Sequence, residues 1–179
     1  MLGRLTKPQD LRAVASYDQA VEDHMSDVYA FLAYRVNSRA DAEDLTQATF
    51  ERAYRAWGRY DSRRAGVRTW LLSIARNLLI DHYRRAGSRH EQTLDDEPGV
   101  AAPDQGLDLG LDPALAAALE VLGEREREII ALRFGADLSG PEIAALTGLT
   151  LANVQQIMSR SLRRLRTELD DVNPGGRER

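Results

Sequence analysis

Residues 138–166 read LSGPEIAALTGLTLANVQQIMSRSLRRLR, and their reading decides the fold. Ser139 stands three residues before Glu142, the spacing of a capping box in which each residue satisfies an orphan donor at the start of a helix. Ile143, Ala144 and Leu146 then face inward. Gly148 makes a tight turn and Thr150 caps again. A second helix of about 17 residues follows, at 3.6 residues per turn. Short helix, glycine turn, longer basic helix is the helix-turn-helix layout.

The second helix of this pair carries four arginines and no acid over residues 150–166. Val154, Ile157, Met158, Leu162 and Leu165 are predicted to share one buried stripe. That leaves Asn153, Gln155, Gln156, Ser159, Arg160 and Arg163 on other faces, with Thr150 at the cap. Long amides and guanidiniums read base edges bidentately, glutamine on adenine and arginine on guanine. Arg164 and Arg166 are suited to phosphates, which fix position without reading sequence. An arginine-rich helix alone is as readily a solvated surface. The two caps and the glycine turn in front of it are what point to DNA.

The chain of 179 residues is acidic overall, at net −4. The charge is segregated, and this removes the objection to a nucleic-acid partner. Residues 1–90 hold 15 basic and 11 acidic groups, and residues 91–113 hold 7 acidic groups and no basic one. Residues 114–170 hold 7 basic and 8 acidic groups. One short acidic segment sets the overall sign, so local patches decide what binds. Hydrophobic content of 43% suffices for packed cores, and 29% charge argues for a soluble protein. No stretch approaches the apolar length of a membrane span, and MLGRLTKPQDLRAV lacks a signal peptide's long apolar segment. Cytoplasm is the expected compartment. There is no cysteine, which excludes disulfides, thiolate metal sites and a cysteine nucleophile.

Residues 87–112 are rich in Gly, Pro and Asp and lack a helical apolar period. They read as an extended, self-repelling acidic linker. The chain then divides into a frayed N-terminus over 1–15, a helical domain over 16–86, the linker over 87–112, a second helical domain over 113–170 and a tail over 171–179. The fold class is all-α: two small helical domains, the second a helix-turn-helix (winged-helix-like) domain.

Three helices are expected in the first domain. The first runs from about Tyr17 to Val36, with Val21, Met25, Val28, Leu32 and Val36 as its stripe. The second runs from about Ala40 to Trp57, with Asp41, Glu43 and Asp44 suiting the helix dipole at its start. The third runs from about Val67 to Arg85, with Trp70, Leu71, Ile74 and Leu78 inward and Gly87 as its stop. A basic loop lies between the last two. Arg63, Arg64 and Arg68 there, with Arg76, Asn77, Arg84 and Arg85 on the helix, form a basic face beside Tyr60 and Trp70. Aromatics with arginines suit unstacked single-stranded bases, although Trp70 sits at core spacing. In the second domain, Asp112-Pro113 reads as an N-cap followed by proline at the first helical position. A helix to Leu122 and another over Glu124–Phe134, stopped by Gly135, precede the helix-turn-helix.

No catalytic set is visible. There is no Gly-rich phosphate loop, nucleophile elbow or Ser/His/Asp order. His24, His82 and His90 are scattered, and the acids of residues 41–44 need no metal to explain them. Neither a metal nor a cofactor is expected, nor an enzyme.

These pieces resemble the extracytoplasmic-function (ECF) type of bacterial RNA polymerase sigma factor, of the sigma-70 family. Three stretches carry the likeness: DAEDLTQATFERAYRAW, VRTWLLSIARNLLIDHYRR and LGEREREIIALRFGADLSGPEIAALTGLTLANVQQIMSRSLRRLR. They span nearly all of residues 17–167, in the family's order. The resemblance implies that Asp44, Leu45, Gln47 and Phe50 dock on the clamp helices of the large subunit of core RNA polymerase. A further contact with the polymerase flap is implied. It implies a −10 promoter surface of Tyr60, Asp61, Ser62, Arg63, Arg64, Arg68, Asn77, Arg84 and Arg85, where the loop captures a flipped base. It implies a −35 surface of Thr150, Asn153, Gln155, Gln156, Ser159, Arg160 and Arg163. It also implies an anti-sigma factor as a regulatory partner.

The sequence departs from the family at three places. Ala48 stands where an acid commonly follows the glutamine of the docking motif. Gln155 and Ile157 stand where basic residues are common. The expected consequence is a −35 element read through amide–adenine pairing. Its salt dependence should be flatter, by about 0.9 log–log units for each phosphate left unneutralised. The competing reading is a stand-alone helix-turn-helix regulator that never touches polymerase; the docking motif at residues 41–57 argues against it.

Overall fold

The computed structural model describes the backbone over residues 8–92 and 112–172, and side chains over 17–85 and 112–170. The expected linker and C-terminal tail lie largely outside the described residues. Every regular element within them is helical. Helix α1 spans Pro8–Ala33, α2 Arg39–Ala56 and α3 Val67–Gln92. Then come α4 Pro113–Glu120, α5 Glu124–Ile130, α6 Gly140–Thr147 and α7 Leu151–Val172. A short 3₁₀ turn over Trp57–Arg59 follows α2, and a π-helical turn over Ala131–Gly135 follows α5. No strand forms among the described residues, so the helix-turn-helix carries no β wing there.

Several boundaries differ from the sequence reading: α1 stops at Ala33 rather than Val36, and α7 runs 22 residues to Val172 rather than about 17. Helix α1 begins at Pro8, so helix replaces fraying over much of residues 8–15. Helix α3 passes through Gly87 to Gln92. A single glycine inside a helix costs only about 1 kcal/mol, too little to stop a helix otherwise favoured on both sides.

Local chemistry sets the other ends. Ser38 caps α2 by accepting from the Asp41 amide at 3.3 Å, and Asp112 caps α4 by accepting from the Ala114 amide at 2.8 Å. Ser139 and Glu142 form the expected capping box: the Ser139 amide and hydroxyl donate to the Glu142 carboxylate at 2.8 and 2.6 Å. These bonds hold the Glu142 carboxyl below its ordinary pKa. Gly148 ends α6 with φ +72°, a left-handed conformation that glycine adopts freely. Thr150 then accepts from the Asn153 amide at 3.2 Å.

The first three helices bury Val28, Phe31, Leu32, Ala42, Leu45, Leu71, Leu72, Ala75 and Leu79 among them. Met25, expected inward, is 47% exposed. In α7 the buried line is Val154, Ser161 and Leu165, while Leu162 is exposed. A period of 3.6 from Val154 falls on 161 rather than 162, and the Ser161 hydroxyl is satisfied by donating to the Ile157 carbonyl at 2.9 Å. The core does not end at the domain boundary. Ile129, Leu132, Ala136, Leu138, Ile143 and Val154 belong to the same buried cluster as Phe31, Leu32 and Leu71.

Candidate nucleic-acid interface

The −35 candidates sit on one helix, presented by its neighbours. Asn153, Gln155, Gln156, Ser159, Arg160 and Arg163 are all exposed on α7, and Thr150 is occupied as its cap. Buried Val154 and Leu165 fix the helix's rotation, so the amides and arginines point outward. Ile157 is half-buried against the core. An apolar residue there extends the packing, which gives a structural reason for the missing basic group. Arg164 is bound internally. It donates to Glu126 Oε2 at 2.6 Å and to the Val121 carbonyl, tying α7 to α5 and to the end of α4.

The −10 candidates lie on α3 and the loop before it. Asp61 folds that loop on itself, accepting from the Arg63 amide at 3.0 Å and from its guanidinium at 2.9 and 2.8 Å. These bonds hold the Asp61 carboxyl below the usual range. Ser62, Arg63 and Arg64 are exposed. Tyr60 has a fixed role: its ring stacks on Trp57 at 5.3 Å, lies 5.0 Å from Trp70, and its hydroxyl donates to the Ala65 carbonyl at 3.0 Å. It pins both ends of the loop, and Trp57 covers one of its faces. Trp70 packs against the core, as its spacing suggested. Asn77, Arg84 and Arg85 are exposed along α3, with Arg84 3.1 Å from Asp81. Arg68 is only partly open, lying 3.9 Å from Glu142 and 4.0 Å from Asp137 of the second domain.

The docking candidates divide by burial. Asp44 and Gln47 are exposed on α2, whereas Leu45 and Phe50 are 9% and 7% exposed. Leu45 packs in the core and offers little to a partner. Phe50 forms the floor of a groove of about 1080 Å³ between α1 and α2, walled by Tyr17, Met25, Tyr29, Gln47 and Tyr54. Tyr17 donates to the Phe50 carbonyl at 2.8 Å and meets Tyr54 and Trp57 edge-on. The exposure of Met25 has its explanation here. The sequence reading missed this groove because its aromatic members come from two helices. It also missed Tyr83, whose hydroxyl donates to the Arg35 carbonyl; Arg35, which donates to the Glu124 carbonyl; and Glu128, which pairs with Arg76 where the domains join.

Two helical domains, one presenting a capped helix with an exposed row of amides and arginines and the other a basic helix with a folded loop, define an all-α protein with two basic helical faces. Residues 20–89 match the family model Sigma-70 region 2, and residues 118–167 match Sigma-70, region 4. CarQ of Myxococcus xanthus, an RNA polymerase sigma factor, is 32% identical over 160 residues, covering 88% of this chain and 91% of the relative. BldN of Streptomyces coelicolor, an ECF RNA polymerase sigma factor, is 32% identical over 161 residues, covering 87% of this chain. The chain spans 61% of BldN's length. The solved structure of CnrH in complex with the cytosolic domain of CnrY matches with a TM-score of 0.63 and 26% identity, over 88% of this chain and 89% of that one. The chain belongs to the ECF sigma factors of the sigma-70 family. Its helix-turn-helix is therefore region 4, and its first three helices are region 2.

Proposed function

We propose that this chain is an alternative sigma factor. It binds core RNA polymerase, reads a −10 and a −35 element and starts transcription of a specific set of promoters. It does no covalent chemistry itself. The observation that carries this reading is the union, in one chain, of the exposed α7 row with an aromatic-walled groove beside Asp44 and Gln47. A DNA-only regulator needs the first and has no use for the second. The groove and the exposed polar face of α2 suit the polymerase clamp. The folded loop at Asp61–Gly66, pinned by Tyr60, suits capture of a flipped base, whose extrusion costs a few kcal/mol of stacking. Region 2 is proposed over residues 16–86, region 4 over 113–170, and the acidic segment between them as a tether. Six of its 26 residues, 87–92, continue α3, so the remaining 20 reach at most ~66 Å at about 3.3 Å each.

An anti-sigma protein is the proposed regulator. The family resemblance motivates it, and CnrH is held by a cytosolic protein domain in its solved structure. The direct test is run-off transcription with purified core polymerase on fragments of the source genome. Initiation should depend on the chain, and Asp44→Ala with Gln47→Ala should weaken core binding. Unchanged core binding by that double variant would remove the docking assignment.

A further inference from the structure

Among the described residues of region 2, four large apolar side chains are open to solvent: Met25, Tyr54, Ile80 and Tyr83. Three have a structural use. Met25 and Tyr54 wall the groove between α1 and α2, and the Tyr83 hydroxyl donates to the Arg35 carbonyl. Ile80 is 49% exposed and belongs to neither buried cluster. A single exposed aliphatic is ordinary on a protein surface. The place of this one on α3 is not.

Helix α3 packs Leu72, Ala75 and Leu79 inward and leaves Asn77, Ile80 and Arg84 exposed. These three follow at i, i+3 and i+7, the spacing of one helical face. Side chains three or four residues apart on a helix stand about 5–6 Å apart at Cβ. Ile80 therefore sits one turn from the Asn77 amide and one turn from the Arg84 guanidinium. The Arg84 side chain is 75% exposed beside Asp81, so a phosphate can reach it and set the helix against a nucleic-acid backbone. Ile80 fills the middle of that row with methyl groups.

An aliphatic there does little for a helix that faces only water. A β-branched side chain loses χ1 freedom in a helix, and this one joins no core in return. DNA offers it a partner that water does not. Thymine carries its 5-methyl group on the major-groove edge, and apolar side chains pack on it. Asparagine pairs bidentately with adenine on the same edge, so an amide and an aliphatic one turn apart suit neighbouring A and T. A helix rises about 1.5 Å per residue, which sets Ile80 about 4.5 Å along the axis from Asn77. Successive nucleotides of a strand stand about 3.4 Å apart. The thymine within reach of Ile80 is then at, or one step from, the base that Asn77 addresses.

We propose that Ile80 is a specificity-determining residue of the −10 surface, packing its methyl groups on the 5-methyl of one thymine beside the base read by Asn77. The contact rests on the sigma reading of this face. It selects thymine by a group that hydrogen bonds cannot address, and so adds to the preference set by the polar residues around it.

The test uses holoenzyme assembled from purified core polymerase and the full-length chain. It first selects duplexes from a pool randomised across the −10 region. The selected duplex is then made again with deoxyuridine in place of each −10 thymine in turn, which removes one methyl and no hydrogen-bonding group. For the parent, one such replacement should weaken binding about fourfold, the worth of one buried methyl. That thymine should lie at, or next to, the position whose preference Asn77→Ala relaxes. Ile80→Ala should bind the thymine and deoxyuridine duplexes equally, and Ile80→Val should keep most of the parent's ratio. Since Ile80 joins no core, Ile80→Ala should match the parent in circular dichroism and in core binding. A merely structural role would change overall affinity and leave the thymine-to-deoxyuridine ratio alone. The contact is overturned by a parent that ignores every methyl, by a ratio that persists in Ile80→Ala, or by a selected −10 element without thymine. A holoenzyme that selects no sequence beyond core polymerase alone sinks the sigma reading, and the contact with it; one that selects a −10 element yet ignores the methyl sinks the contact only.

Discussion

Arg164→Ala separates an arginine that holds the fold from one proposed to hold DNA. Its guanidinium donates to Glu126 Oε2 at 2.6 Å and to the Val121 carbonyl, and its side chain is half exposed. An exposed ion pair contributes about 0.2–1 kcal/mol. The bond to the carbonyl adds a charged hydrogen bond, about 1.5 kcal/mol where shielded and less at this exposure. Together they give about 1–1.5 kcal/mol. For a cooperative unit of this size, each 1 kcal/mol moves Tm by about 2–4 °C, so the variant should melt roughly 2–6 °C lower.

Arg163 provides the contrast. It lies one residue away and is exposed, with a bond of 3.3 Å to the Ser159 carbonyl of its own helix. Arg163→Ala should leave Tm nearly unchanged. It should lower the log–log salt slope of −35 duplex binding by about 0.9, the contribution of one neutralised phosphate. Arg164→Ala should leave that slope alone. Thermal unfolding and duplex titrations between about 50 and 200 mM salt measure both quantities. The reasoning is refuted if Arg164→Ala melts within about 1 °C of the parent and flattens the slope as much as Arg163→Ala does.

Other substitutions probe single links. Gly148→Ala meets no neighbour within 4 Å, so its cost is the left-handed strain alone, about 1 kcal/mol, seen as a lower Tm with promoter preference intact. Gln155→Ala should relax selection at one −35 position by about 1–3 kcal/mol, read from binding to a randomised promoter library; an unchanged preference would remove the amide–adenine reading. The Glu142 carboxyl is held below its ordinary value of 4.5 by the bonds from the Ser139 hydroxyl and amide. Its stabilisation is therefore present above about pH 4.5 and is lost as pH falls through the folded-state value. Between pH 3 and 6, Glu142→Gln should flatten the acid side of the Tm profile.

The parts legible in the sequence are those governed by neighbours along the chain. Ser139 with Glu142, Gly148, Thr150 and Asp112 each satisfy a backbone group two to four residues away, so spacing alone located them. Stripes were legible to within one position. Leu162 looked inward because leucine is apolar, yet the helical period gave the place to Ser161, whose hydroxyl bonds within its own helix. Met25 was misplaced for a related reason: it is apolar in order to line a groove. The contact between the domains was not legible. Gly135 reads as a helix stop, yet a Cβ there would stand 3.1 Å from the Ala30 backbone. Glu128 reads as one charge in EREREII and Arg35 as a helix-end cation. Their roles depend on Ala30, Arg76 and Glu124, dozens of residues away, and no local pattern encodes such partners.

The near balance of charge in region 4 has a structural meaning that composition hides. Its acids are not scattered over the reading surface. Glu126 is taken by Arg164, Glu142 by the Ser139 cap, and Glu128 by Arg76 and Arg125. The exposed row on α7 from Asn153 to Arg163 therefore keeps the field of its own arginines, although the domain's sum is almost neutral. The Arg76–Glu128 pair between the domains is partly buried, with side chains 25% and 11% exposed, so salt screens it less than it screens fully exposed arginines. Rising ionic strength should then weaken promoter binding faster than it weakens the packing between domains.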